Sequence, residues 1–289
     1  MSWFIFLFTS LIWGSNFIMM KKAMLSFGPV GIGGWRVFGA ALVLGATWWW
    51  KEHRWPFNRS HLAPMIFLVL VGYAWPYSVL PWLIQRDGSA FIGMMLGLVP
   101  LLTILVSIPM LGVYPTRRQI AGVLGGLVCL GIIMGDGIKR SLPATDLCLA
   151  VTIPLCYAIG NTYIRRRFHD SPPLALSCTA LAGSSVLLLP LSFCLPSEHI
   201  TLNEHFPLAL VCLLLVAIFA TGVAGYLFYI LIQREGPLFA GMTAYLIPLG
   251  ALAWGWLDQE KVTGLANSKT MTETTSTNFL DRMKGTLLS

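Results

Sequence analysis

Charge is what this sequence has least of. Asp, Glu, Lys and Arg together make up 11% of the 289 residues, against about 25% in a soluble domain. No Asp or Glu falls deep inside an apolar run; Asp136 and Asp146 stand at run ends. That argues against proton exchange through a mid-membrane Glu, as in small multidrug exporters. The six cysteines (Cys129, Cys148, Cys156, Cys178, Cys194 and Cys212) lie in or at the ends of apolar runs and form no CxxC pair. A disulfide framework and a thiolate metal site are therefore both unexpected. The five histidines (His53, His61, His169, His199 and His205) all fall in connecting segments and lack ligand spacing. The sequence also lacks a Walker loop, a paired-Asp motif and a Ser-His-Asp set. Neither a cofactor nor a metal is implied, and no intramembrane enzyme is equipped with visible catalytic groups.

What is present is apolar sequence: 56% hydrophobic residues and a mean hydropathy of +0.73. This composition predicts an all-α polytopic membrane protein, whose first partner is the lipid bilayer. The net charge of +7 does not point to nucleic acid, because Lys and Arg sit in short clusters between apolar runs, where they set topology. The stretch 3–20 has no basic residue before it and no small-residue cleavage site after it, so it reads as a membrane helix rather than a signal peptide.

A spanning helix needs roughly 17–25 residues. Nine runs qualify: 3–20, 30–50, 64–84, 89–113, 119–137, 146–164, 173–195, 206–232 and 238–257. Short loops make neighbours antiparallel. The connections near 51–63, 114–118, 165–171 and 233–236 hold nine Lys and Arg, against five in those near 21–28, 85–88, 138–145 and 196–205. The bias places the N-terminus in the cytoplasm, and the expected location is the cell (inner) membrane, as a multi-pass protein. Trp48-Trp49-Trp50, before Lys51, reads as an interfacial belt. Gly93 and Gly97, then Gly122, Gly126, Gly131 and Gly135, have the spacing that lets helix backbones approach. Spacing alone leaves open whether the 119–137 helix packs within the chain or against a second protomer in a homodimer.

The runs repeat. Residues 83–101 and 231–249, offset by 148, share eleven of nineteen positions, and Asp87 answers Glu235. In each copy a charged turn closes on Gly88 or Gly236, and the next run meets Pro100 or Pro248. A second echo, Ser15-Asn16-Phe17 with Lys21-Lys22, matches Gly160-Asn161-Thr162 with Arg166-Arg167. The chain thus reads as a duplicated unit, a plan that in secondary transporters places the solute where the repeats meet. The echo predicts a further helix at 267–285, but that segment is polar. The expected division is 1–137 as a first repeat of five helices, 138–263 as a second of four, and 264–289 as a polar disordered tail on the outer side.

Trp13-Gly14-Ser15-Asn16-Phe17, then Lys21-Lys22 and Arg36, resembles the opening of an EamA repeat, and Gln85, Arg86, Gly88, Ala90, Pro100, the Gly122 region and Gly131 continue it. EamA-type proteins belong to the drug/metabolite transporter superfamily. The similarity covers 3–137 and, truncated, 146–263. It implies ten helices in two five-helix repeats of inverted topology, a cavity at their interface, and export of small metabolites such as amino acids or drugs. The chain departs from the pattern at Val113, where a Glu is usual (Glu260 resembles its second-repeat counterpart), and in the missing last helix. A truncated paralogue that inserts without transporting is one alternative, and an intramembrane enzyme is the runner-up from another class.

Candidate cavity residues follow. Arg36 lies about six residues into its helix, where a charge costs about 2.5–3.5 kcal/mol on insertion scales. It either faces a wet cavity and pairs with a carboxylate-bearing solute, or snorkels to the interface. Asn16 and Asn161, related by the duplication, offer donors and acceptors to a solute, or serve as interhelical glue of roughly 0.6 kcal/mol each. Trp13 and Tyr157 stand one turn before them on the same faces. Tyr77, Tyr226, Tyr229 and Tyr245 are candidates for an aromatic wall. Pro100 and Pro248 free backbone carbonyls and are candidates for gating kinks.

Overall fold

The computed structural model describes residues 1–51, 56–87, 89–134, 143–194 and 200–257, and every regular element among them is a helix. Among the described residues, six helices are long and apolar enough to cross a membrane: α1 (Ser2–Ala23), α2 (Pro29–Lys51), α3 (Arg59–Asp87), α7 (Ala144–Arg167), α8 (Pro173–Cys194) and α9 (Phe206–Glu235). Between them lie α4 (Ser89–Leu96), α5 (Val99–Leu111) and α6 (Arg117–Met134), and after them α10 (Pro237–Gly241) and α11 (Thr243–Leu257). The chain is thus an all-α polytopic protein. Its contacts divide it into Met1–Ala251 and Leu252–Ser289; all that follows concerns the first unit. Gly88, Gly135, Asp136, Glu260, the expected 264–289 tail and the segment read as lacking a tenth helix lie outside the described residues.

Proline and glycine mark the boundaries. Pro29 opens α2, Pro173 opens α8 and Pro237 opens α10, positions where the missing N–H is not needed. The turn between α9 and α10 rests on Gly236 at φ +91°, a backbone region that side chains strongly disfavour. Two spans read as continuous are broken. The 89–113 run splits at Gly97–Leu98, so Pro100 sits in the first turn of α5 instead of kinking a helix interior. The 238–257 run turns at Met242, and Pro248 lies inside the helix that follows. The tryptophan belt is also narrower than expected: Trp49 and Trp50 are 74% and 84% exposed, but Trp48 is buried at 4%.

α3 and α9 each contain a π-helical segment, Leu68–Ala74 and Val216–Val223. Their first residues are 148 apart, the offset of the sequence echo. A π segment carries an extra residue per turn and is often found at functional sites.

Connections meet side by side as an antiparallel bundle requires. Ser26 Oγ donates to Asn203 Oδ1 (2.9 Å), Asn203 Nδ2 donates to Leu25 O (2.9 Å), and Arg86 Nε pairs with the buried Asp146 carboxylate (2.8 Å). All belong to the side assigned as outer. On the other side Ser2 Oγ donates to Glu235 Oε1 (2.6 Å), and Phe57 packs edge-on against Phe168.

Packing depends on small residues at places the spacing rule did not reveal. A Cβ on Gly33 would stand 2.3 Å from the Tyr77 carbonyl oxygen; one on Gly14 would be 2.7 Å from Gly250 Cα, and one on Gly160 3.2 Å from Gly72 Cα. The last two contacts join the two halves. Of the glycines singled out above, Gly126 meets the Tyr245 ring and Gly122 the end of Met242, whereas Gly93 meets nothing within 4 Å. The Gly126 contact seats α6 on α11, while Ile120, Leu124 and Val128 of α6 remain exposed. Gly33→Ala should destabilise the protein by about 1–3 kcal/mol, as overpacking does, read as a lower melting temperature in detergent. Gly125→Ala, inside α6 with nothing within 4 Å, should not lower it, because Ala favours a helix interior over Gly. Equal melting of the two variants would contradict the close α2–α3 contact.

Candidate functional site

A cavity with about 130 Å³ of free space opens where both halves meet, bounded by α1, α2, α3, α4, α5, α7, α9, α10 and α11. Its lining contains pairs at the repeat offset: Tyr77 and Gly225, Leu80 and Phe228, Val99 and Ile247. Asn16 and Asn161, 145 apart, line it as well. Equivalent residues thus surround one space, as two repeats facing one another would place them.

Arg36 breaks this symmetry. Its equivalent at the 148 offset is Ser184, which donates to Ala180 O within its own helix (2.7 Å). Arg36 itself is only 4% exposed, so it does not snorkel out. Its Nε donates to Thr221 Oγ1 (2.9 Å), an Nη lies 3.4 Å from Met20 Sδ, and the guanidinium sits 4.5 Å from the centre of the Tyr77 ring. All three partners are neutral. A cation over an aromatic face gains on the order of 0.5–2 kcal/mol. No Asp or Glu occurs among the described residues lining the cavity.

The π segments supply several of these groups. Thr221 comes from the one in α9, as does the Ala220 carbonyl that accepts a hydrogen bond from Trp13 Nε1 (2.9 Å). Tyr73, from the one in α3, shares a hydroxyl–hydroxyl hydrogen bond with Tyr229 of α9. The Trp13 ring leans on Phe228 with centroids 4.8 Å apart, and Tyr73 stands edge-on to Tyr77.

Asn16 Nδ2 lies 3.3 Å from Met20 Sδ, while its Oδ1 is buried with no hydrogen-bond partner among the described residues. A buried acceptor left unmade costs about 1–3 kcal/mol. In a cavity wall it is available to a donor that enters.

Of the candidates from the sequence, the structure brings Trp13, Asn16, Arg36, Tyr77, Tyr157, Asn161 and Tyr229 to this cavity. Tyr226 and Tyr245 do not line it. Tyr226 follows Gly225, which does, and one residue turns the helix by about 100°; it packs on the hydrophobic core. Tyr245 turns to α6, where its hydroxyl donates to Val123 O (2.9 Å). Nor does Pro100 or Pro248 line it. The sequence reading missed Tyr73, Thr221 and Phe228. For Tyr73 a signal existed: it lies one helical turn before Tyr77, on the same face. Replacing Asn16 or Asn161 with Leu should reduce transport more than tenfold while leaving membrane insertion intact. Normal transport by both variants, measured in vesicles, would leave the amides as helix glue.

This architecture, with a largely apolar cavity that carries one buried arginine and is shared by two halves of an apolar helical bundle, is that of a multi-pass membrane transporter. The EamA-like transporter family matches the chain twice, over residues 1–135 and 145–266, and the chain belongs to that family. It is 24% identical over 259 residues to the "Uncharacterized transporter YoaV" of Bacillus subtilis (strain 168), covering 88% of this chain and 87% of the relative. A protein of known crystal structure, 15% identical, shares the fold with a TM-score of 0.73 over 91% of this chain and 90% of its own.

Proposed function

We propose that the chain exports small solutes bearing a carboxylate or similar anionic group, as amino acids and many drugs do, by alternating access between two inverted repeats. The observation that carries this reading is Arg36. It is a buried guanidinium in the wall of the shared cavity, held by Thr221, Met20 and Tyr77. Its planar fork suits a carboxylate, and such charge-assisted bonds are roughly twice as strong as neutral ones. With no acidic residue among the described lining, the countercharge is left for the solute to bring. The aromatic walls fit an apolar remainder, and the free Asn16 Oδ1 fits an N–H donor on it. Export and the inverted arrangement rest on the family resemblance, and the cytoplasmic N-terminus on the Lys and Arg bias.

The test is counterflow in proteoliposomes against a panel of radiolabelled amino acids. Arg36→Gln should lower uptake at least tenfold, and Arg36→Lys, which keeps the charge without the fork, should fall between. Uptake by Arg36→Gln equal to that of the native protein would overturn the reading.

A further inference from the structure

A second pocket, of about 200 Å³, lies on the side that carries the N-terminus. Ile104, Ser107 and Leu111 of α5, Arg165 of α7 and Leu238 of α10 line it, with Val113 at a mouth where that residue is 59% exposed. Three helices run from this pocket to the central cavity. On α7, Asn161 lines the cavity and Arg165, one turn on, lines the pocket; on α10 the residues are Gly241 and Leu238; on α5 they are Val99 and Ile104. One turn is about 5.4 Å, so the two spaces are separated by a thin layer.

That layer is made of small side chains. Thr103, Thr162 and Ala240 are fully buried in it, and a Cβ on Gly241 would lie 3.5 Å from Thr103 Oγ1. Their hydroxyls are used at home: Thr103 donates to Val99 O (2.7 Å) and Thr162 to Ala158 O (2.8 Å). The hydroxyl contact across the seam, Ser107 Oγ to Thr162 Oγ1, is long at 3.4 Å. Parting the seam therefore breaks no short hydrogen bond between these groups and leaves each helix's own bonds intact. The contact of α7 with α9 on this side is more firmly tied. Arg165 donates to Gln233 O, and Gln233 Nε2 donates to Phe168 O (2.8 Å) and Ser171 O (2.9 Å).

We propose that the seam between α5, α7 and α10 is the passage between the central cavity and the N-terminal side, with the second pocket as its vestibule. The idea rests on the reading of the cavity as the solute site, yet its test needs no solute. Gly241→Cys places a thiol in the cavity wall behind the layer. A small anionic methanethiosulfonate is applied in sealed vesicles from the side on which an N-terminal tag is cleaved by protease, with the native six-cysteine chain as the background. Gly241→Cys should be labelled from that side. Filling the vestibule with Leu238→Trp should slow the labelling at least tenfold, while labelling from the opposite side stays the same and reports an intact fold. Thr103→Cys, within the layer, should behave alike and serves if Gly241→Cys folds poorly. An unchanged rate in the Leu238→Trp background, or thiols reached from the N-terminal side only after denaturation, would overturn the passage and leave the Arg36 site untouched. Loss of Arg36 dependence in counterflow with a normal labelling pattern would do the reverse.

Discussion

A guanidinium held inside an apolar bundle sets the terms for everything around it. In hydrocarbon each polar group must be satisfied from within the protein, and a buried charge is tolerated only where ligands or a wet space are provided. Here they come from three elements besides Arg36's own helix: Met20 on α1, Tyr77 on α3 and Thr221 on α9. Two belong to the first half of the chain and one to the second. Placing the charge thus requires the halves to be folded against each other, and the cavity is the space left at that junction.

The halves interlock instead of lying side by side. α1 meets the second half through Gly14 against Gly250 and through Trp13 to the Ala220 carbonyl; α7 meets the first half through Gly160 against Gly72 and through Asp146 to Arg86. Close backbone contact and interhelical hydrogen bonds do the work that the hydrophobic effect cannot do between helices in lipid. The π segments of α3 and α9 fit this picture. Each supplies the central site: Leu68, Gly72 and Tyr73 line the cavity, while Thr221 and the Ala220 carbonyl hold Arg36 and Trp13.

Much of this was legible from residues alone. Long apolar runs fix where helices must be, since only helices satisfy their own backbone in a bilayer. The 148-residue echo and the Ser-Asn-Phe echo identify equivalent positions, and equivalence was enough to select Asn16, Asn161 and their aromatic neighbours as a group. Arg36 stood out because a charge in such a run demands a reason. What was not legible is what faces what across helices. Tyr245 and Tyr226 share helices with cavity residues, but a rotation of about 100° per residue turns one to α6 and the other into the core. Nor does hydropathy distinguish an α turn from a π turn, or a kink at Pro100 from a break at Gly97–Leu98. The glycine contacts that hold the bundle come singly, from different helices, so no local spacing announces them.

The proposed role of Arg36 is to receive the anionic group of the solute. The most direct measurement compares the binding of matched pairs, an amino acid and its neutral amide, to purified protein and to Arg36→Gln. The carboxylate form should bind the native protein at least tenfold more tightly, and the difference should vanish in the variant. Equal binding of acid and amide to the native protein, or a preference that persists in Arg36→Gln, would contradict it.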